Sequence, residues 1–218
     1  MLTFNNLRCY GYDGTKPIVI AICGASASGK DTLQKAMCRS RTYVCHDMFS
    51  GNKIPAHGMV SCTTRPRRRY ERNGYDYNFL NKTQFKHLQE WDEFLETSEF
   101  RGWWYGVLKS EVMSGVNIGV FNPEGLVSLL EYKNDYFIVP VYLNVGAGKR
   151  LVRSIRREGK FKWEYLRRMK TDHNDFKGIR DLLNQFDMSI TCKDDRSTEE
   201  SLDYIERRLG IEFSKFSF

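Results

Sequence analysis

The feature that most constrains this chain is a six-residue apolar run that ends in a glycine-rich turn. Residues 18–23 read IVIAIC, and Gly24, Ala25, Ser26, Ala27, Ser28, Gly29 and Lys30 follow. A continuous apolar run without alternation is the pattern of a strand covered on both faces, as in a parallel sheet. The turn has the spacing Gly-x-x-x-x-Gly-Lys, and a helical pattern follows from about Asp31 to Arg39. Strand, glycine-rich turn and helix, in that order, curl backbone N–H groups around an anion at the positive end of the helix. Residues 24–32 are therefore expected to cradle nucleotide phosphates, with Lys30 as the mobile charge for the β- and γ-phosphates.

The rest of the chain repeats the alternation of strand and helix. Helical patterns are expected over 83–91, 123–132, 147–157, 162–174 and 198–209, with Pro123 suited to a first helical turn. Strands are expected over 94–100, 118–121, 136–143 and 188–191. Residues 1–16 read as a short extension, and residues 54–80 as strand and loop. This order predicts an α/β fold with a mostly parallel sheet flanked by helices.

At 218 residues, 41% of them hydrophobic, the chain is expected to form one domain with a real core. No apolar run approaches the ~20 residues of a membrane span. The first residues lack a basic start followed by an apolar stretch, so no secretory leader is expected. Six cysteines, at 9, 23, 38, 45, 62 and 192, form no Cys-x-x-Cys pair and read as reduced thiols of a cytoplasmic protein. The net charge of +7 suits an anionic partner. Its basic residues gather at 65–72 and 149–170, which fits two phosphate sites better than a nucleic-acid stripe.

One position departs from the usual phosphate loop. The residue after the lysine is commonly Ser or Thr, whose hydroxyl reaches Mg²⁺; here it is Asp31, with Thr32 next. A carboxylate is a good ligand for a hard cation, so Asp31 is expected to help hold Mg²⁺. The plainer alternative is that Asp31 favours the first turn through the helix dipole. The apolar strand at 118–121 ends in Asn122 and carries no aspartate, which leaves the usual acidic partner missing.

Residues 63–79 read TTRPRRRYERNGYDYNF. Thr63, Thr64, Arg65, Arg68, Glu71, Gly74, Tyr77 and Phe79 match T-[ST]-R-x-x-[KR]-x-x-[DE]-x-x-G-x-x-Y-x-F, and the segment resembles the guanylate kinase signature. FLETSEFRGWWYG at 94–106 and KRLVRSIRREG at 149–159 resemble two further stretches of that family, so the likeness spans about residues 17–209. It implies a phosphate-loop core over about 17–60 and 107–209, a small mixed lobe for the monophosphate at about 61–106, and a helical lid at about 149–170.

The resemblance also implies roles. Arg65, Arg68 and Tyr77 would grip the phosphate of a nucleoside monophosphate, with Tyr105 adding a contact. Guanidinium forks match phosphate oxygens in pairs. Ser61 and Glu96 would read the base. Arg153, Arg157 and Arg168 would close over ATP and stabilise the charge in transfer. Arg67, Arg69 and Arg72 read as solvated surface, and so does the polar helix around Asp172, His173 and Asp175.

The implied reaction is phosphoryl transfer from ATP, with Mg²⁺, to GMP or dGMP. Val107 stands where the family usually has a hydroxyl and is expected to make the pocket more apolar. Another deoxynucleotide therefore stays open as the substrate. A non-catalytic interaction module and a nucleic-acid-processing ATPase are the competing classes. The retained Lys30 and loop glycines weigh against the first, and the lack of a recognition helix against the second.

Overall fold

The computed structural model describes residues 5–38, 42–47, 52–100, 102–193 and 197–213. For residues 5, 42–45, 47, 100, 157, 158 and 168 it describes the backbone alone. A short helix α1 (Asn5–Arg8) precedes strand β1 (Ile18–Cys23), helix α2 (Lys30–Met37) and strands β2 (Thr42–Asp47) and β3 (Lys53–Gly58). Then come β4 (Cys62–Thr63), β5 (Asn78–Phe79), α3 (Lys82–Glu90), β6 (Phe94–Phe100) and β7 (Trp103–Leu108). The chain continues through β8 (Val116–Val120), α4 (Pro123–Leu129), β9 (Phe137–Asn144), α5 (Ala147–Glu158) and α6 (Trp163–Asp175). It ends with α7 (Ile179–Leu183), β10 (Ile190–Lys193), α8 (Thr198–Leu209) and β11 (Ile211–Phe213).

The larger sheet has the order β10-β9-β1-β8-β3-β2-β11. Its first five strands are parallel, and β2 and β11 add antiparallel at one side. The apolar run β1 lies in the middle, and each of its six side chains is 0% exposed. Ile18, Ile20 and Ile22 pack on one face with Leu33 of α2 and Ile205 of α8. Val19, Ala21 and Cys23 pack on the other face with Leu126 of α4 and Leu183 of α7. Each such aliphatic side chain contributes about 1.5–3 kcal/mol by leaving water. The expected helix-flanked parallel core is thus what the apolar runs build, and β1 aims the glycine-rich turn out of the sheet's C-terminal edge.

The smaller sheet has the order β5-β4-β7-β6, with a parallel and an antiparallel partner for β4. Its own apolar layer holds Cys62, Phe85 and Phe94, with Trp104 packed against it. Phe85 and Phe94 stack at 4.4 Å between centroids. Trp104 is therefore a packing residue of this sheet.

Several elements differ from the sequence expectation. The residues before β1 are more than an extension: Leu7 and Tyr12 are buried in the main core, and the Tyr12 ring lies 5.1 Å from that of Phe137. Strands β2 and β11 and helix α7 were not expected. β11 is three residues long, too short for a period to show. It is fixed by Glu206, whose Oε1 accepts the N–H of Phe213 at 2.9 Å. Helix α4 stops at Leu129, and a tighter turn runs to Tyr132. Its start follows the residues: Pro123 opens it, and Asn122 Oδ1 accepts the N–H of Gly125 at 2.8 Å.

Two chain segments, 59–61 and 109–115, join the sheets, and one carboxylate ties them. Glu111 Oε2 accepts from His57 Nε2 at 2.9 Å and from the Val60 N–H at 2.9 Å. Both side chains are buried. Glu111→Ala strands the His57 nitrogen and the Val60 N–H away from water. It is expected to lower unfolding free energy by about 3 kcal/mol, and Glu111→Gln by less, since its amide oxygen still accepts from Val60. Urea unfolding measures both. An unchanged midpoint for Glu111→Ala would show that the clip is not a stabilising contact.

Candidate active site

The glycine-rich turn wraps onto the end of β9. A Cβ on Gly24, whose φ is 153°, would lie 2.9 Å from the Leu143 carbonyl oxygen and 2.8 Å from Ser28 Oγ. Only a residue without a side chain lets the loop approach so closely. Gly29, at φ 103°, starts α2, and no side chain caps that helix. The uncapped first turn leaves N–H groups for an anion.

Lys30 lies inside this loop. Its Nζ donates to the carbonyl oxygens of Gly24 at 2.6 Å and Ala25 at 3.2 Å. Burial lowers its pKa from the ordinary lysine value, while the nearby Asp31 and Asp172 carboxylates work the other way. Arg153 reaches the same loop and donates from Nη1 to the Ser28 carbonyl at 2.8 Å. The side chains of Arg157 and Arg168 lie outside the described residues.

A cleft of about 530 Å³ opens between the two sheets. Gly24, Ser26 and Lys30 form one end, and Ser61, Tyr77, Glu96 and Tyr105 stand on the other wall. A second cavity of about 240 Å³ lies on the far side of the loop, lined among others by Ser28, Thr32, Leu143, Arg153, Lys193 and Ser197. The loop thus has one cavity on each side.

Glu96 is a strongly perturbed group of the cleft. It is 7% exposed, and burial pushes its carboxyl up to about 8, with the charge of Glu124 adding to the shift. The N–H of Val107 bonds to it and works the other way. The register of β6 on β7 shifts between Phe94 and Glu96. Such an irregularity re-aims a side chain. The close approach continues on the facing helix, where a Cβ on Gly125 would lie 2.9 Å from Glu96 Oε2.

Val107 itself corrects an expectation. Its side chain is 0% exposed and belongs to the core layer of Leu95 and Phe121. The cleft wall beside Glu96 is instead carboxylate-rich, with Glu99, Glu124 and Asp175.

The arginines of the signature segment converge on one carboxylate. Arg65 forms a two-pronged pair with Glu71, Nη1 to Oε2 at 3.1 Å and Nη2 to Oε1 at 2.8 Å, and its Nη1 also donates to the Pro66 carbonyl. Its guanidinium lies 5.4 Å from the Tyr77 ring centroid. The Arg68 backbone N–H donates to the same Glu71 at 2.8 Å, while its side chain is half-exposed. Glu71, 6% exposed, is therefore the hub of this turn. Arg67, read as plain surface, donates to the Glu71 carbonyl at 2.9 Å. Arg72 lies over the Tyr75 ring at 4.1 Å.

The reading of residues 172–175 as a solvated face is corrected at Asp172. That carboxylate is 5% exposed and accepts from the N–H and hydroxyl of Ser26. Arg150 meets it. Sequence reasoning missed both, because the two residues stand 22 apart on different helices. One local signal existed: Arg150 and Arg153 stand three apart, on one helix face.

With this geometry in view, the likeness to known proteins is informative. The guanylate kinase family model matches residues 14–121, which contain the loop, the signature segment and the wall of Glu96. Over these residues the chain is similar to the guanylate kinase family. A guanylate kinase of Thermotoga maritima is 35% identical over 126 residues, 55% of this chain and 55% of that protein. One from Rhodopirellula baltica is 29% identical over 148 residues, 65% of each. The chain thus matches these relatives over little more than half to about two thirds of their length. A crystal structure of guanylate kinase from Anaplasma phagocytophilum shares the fold, with a TM-score of 0.56 at 19% identity, covering 87% of this chain and 83% of that one.

The burial of Glu96 has a measurable consequence. A carboxyl whose folded pKa is raised keeps its proton after the unfolded chain has lost it. Between the ordinary 4.5 and about 8, it therefore lowers stability as pH rises, by about 1.4 kcal/mol per unit. Glu96→Gln removes that slope. Its thermal midpoint should exceed that of the parent at pH 8.5, and the gap should close towards pH 5. Parallel midpoints across that range would contradict the burial of an uncompensated carboxyl.

Proposed function

We propose that the protein is an ATP-dependent nucleoside monophosphate kinase that moves the γ-phosphoryl group of ATP to GMP or dGMP, giving ADP and the nucleoside diphosphate. The observation that carries this reading is the continuous cleft with Lys30 at one end and Ser61, Tyr77, Glu96 and Tyr105 at the other. Donor and acceptor phosphates are proposed to meet there in line.

In the proposed reaction, an oxygen of the acceptor phosphate attacks the γ-phosphorus. The bond from that phosphorus to the β-bridging oxygen breaks, and ADP leaves. The attacking oxygen is already anionic, so no general base is needed; positioning and charge neutralisation supply the catalysis. Lys30 exchanges its loop carbonyls for the β- and γ-phosphates, and Arg153 covers the same loop. Arg157 and Arg168 are proposed to join it. The adenosine of ATP takes the cavity beyond the loop, between Thr32 and Ser197.

At the acceptor, Tyr77 and Tyr105 offer hydroxyls to the phosphate. Arg65 and Arg68 serve it while keeping their contacts with Glu71. Two of the five Arg65 N–H groups have no protein acceptor among the described residues, so a phosphate finds donors there without breaking the pair. Glu96 as carboxylate accepts from N1–H and N2–H₂ of guanine, and Ser61 adds a hydroxyl.

Mg²⁺ is proposed to travel with the nucleotide. No group of three His, Cys, Asp or Glu side chains suited to a metal occurs among the described residues. Asp31, at the mouth of the loop, is exposed. An exposed carboxylate fits as one oxygen ligand of an ion whose other ligands are phosphate and water. When bound, the ion would neutralise charge on the transferred group. No helix among the described residues is long and apolar enough to cross a membrane. The proposed enzyme acts on free nucleotides in the cytoplasm.

A coupled ADP-release assay across GMP, dGMP, AMP, dTMP, dCMP and dUMP tests the proposal. GMP or dGMP should give turnover at least tenfold above the others. Lys30→Met should cost about 100-fold or more in kcat. Silence on all six would remove the enzyme reading, and turnover confined to a pyrimidine would remove the guanine one. Asp31→Asn should raise the Mg²⁺ concentration needed for half-maximal rate, and an unchanged requirement would take Asp31 off the metal.

The KM for GMP should fall as pH rises from 6 to 8.5, because the guanine edge needs Glu96 ionised. Glu96→Gln should flatten that trend.

A further inference from the structure

The phosphate loop is held from outside by two helices. Every polar group of Ser26 is engaged there. Its N–H and hydroxyl donate to Asp172, at 3.1 Å to Oδ2 and 2.9 Å to Oδ1. Its carbonyl accepts from Arg150 Nη1 at 3.3 Å. Arg150 Nη1 also donates to Asp172 Oδ2 at 2.5 Å, and Nε to the Val145 carbonyl at 3.1 Å. Arg150 is 8% exposed and Asp172 5%. One buried ion pair thus joins the loop, the start of α5 and the end of α6.

We propose that Arg150 and Asp172 are positioning residues for nucleotide binding, a neutral brace that fixes the front of the phosphate loop to the α5–α6 pair. The proposal rests on the kinase reading for what the loop binds. The two charges act on Lys30 in opposite senses, Asp172 favouring its cationic form and Arg150 disfavouring it. The pair therefore delivers shape to the loop with little net charge. Arg153, one turn further along α5, donates to the next stretch of the loop at Ser28. With both arginines attached, α5 and the loop form one body, and ATP meets a loop already in place.

A neutral brace behaves differently from an arginine that touches phosphate. Removing Arg150 alone leaves a buried carboxylate facing the incoming phosphates. Removing the charge of Asp172 leaves a cation there, which attracts them. Removing both restores neutrality.

ATP affinity, measured by titration calorimetry without turnover, should therefore fall about tenfold or more in Arg150→Met. It should fall less in Asp172→Asn, whose amide keeps part of the contact with Ser26. The double variant should recover the part of the loss due to the unpaired carboxylate while staying weaker than the parent, as expected for a shared ion pair. Both the residual loss and the recovery should appear in KM for ATP; a double variant equal to the parent would show that the pair does not position the loop. If the double variant binds ATP as weakly as Arg150→Met, Arg150 contacts the nucleotide itself and the brace is wrong.

Amide exchange of the peptide holding Ser26 provides a readout independent of nucleotide. It should speed up in Asp172→Ala while α8 stays protected, and equal exchange in parent and variant would overturn the proposal. Should the parent bind no ATP while loop exchange still responds to Asp172, the kinase reading fails and the brace stands.

Discussion

Everything at the site depends on keeping one ammonium group inside a loop of backbone. Lys30 is enclosed by carbonyls of its own turn, and the turn closes because Gly24 lies against the Leu143 carbonyl, where no side chain fits. That contact sets the loop against β9, and β9 in turn is fixed by its register on β1. A strand buried on both faces is hard to slide. The anion site therefore inherits the rigidity of the sheet's centre, and the mobile parts of the chemistry have a fixed point to work against.

The buried polar groups come as paired sets. The Arg65 guanidinium is matched by Glu71 and that of Arg150 by Asp172, and the His57 ring is hydrogen-bonded to Glu111. Each set is largely buried, where breaking one partner costs several kcal/mol while the intact pair adds little net stability. Such pairs act here as orientation devices. One shapes the turn that presents Tyr77, one the loop that encloses Lys30, and one the joint between the sheets. The +7 of the whole chain says little about this local balance.

What the sequence made legible was local. The glycine spacing marked the loop, the uninterrupted run IVIAIC marked the central strand, and the spacing of residues 63–79 pointed to the family whose model matches there. Partners distant in sequence were not legible. Asp172 read as solvated because its neighbours His173 and Asp175 are polar; its burial comes from Arg150 and Ser26, which no short-range period connects. Glu96 was singled out through the resemblance, yet its burial and raised pKa follow from α4 packing over β6. The three-residue β11 and the buried Leu7 and Tyr12 owe their places to tertiary contacts that no local pattern carries.

The shifted register between β6 and β7 has a consequence for how the pocket tolerates change. The group that holds the Glu96 carboxylate is the main-chain N–H of Val107, and the Val107 side chain turns away into the core. Main-chain donors are common to every residue except proline. Position 107 is thus free to vary among small apolar residues, as packing demands, while the orientation of the carboxylate is inherited unchanged. Orientation of the carboxylate and packing of the core are separated at a single residue, one assigned to its backbone and the other to its side chain.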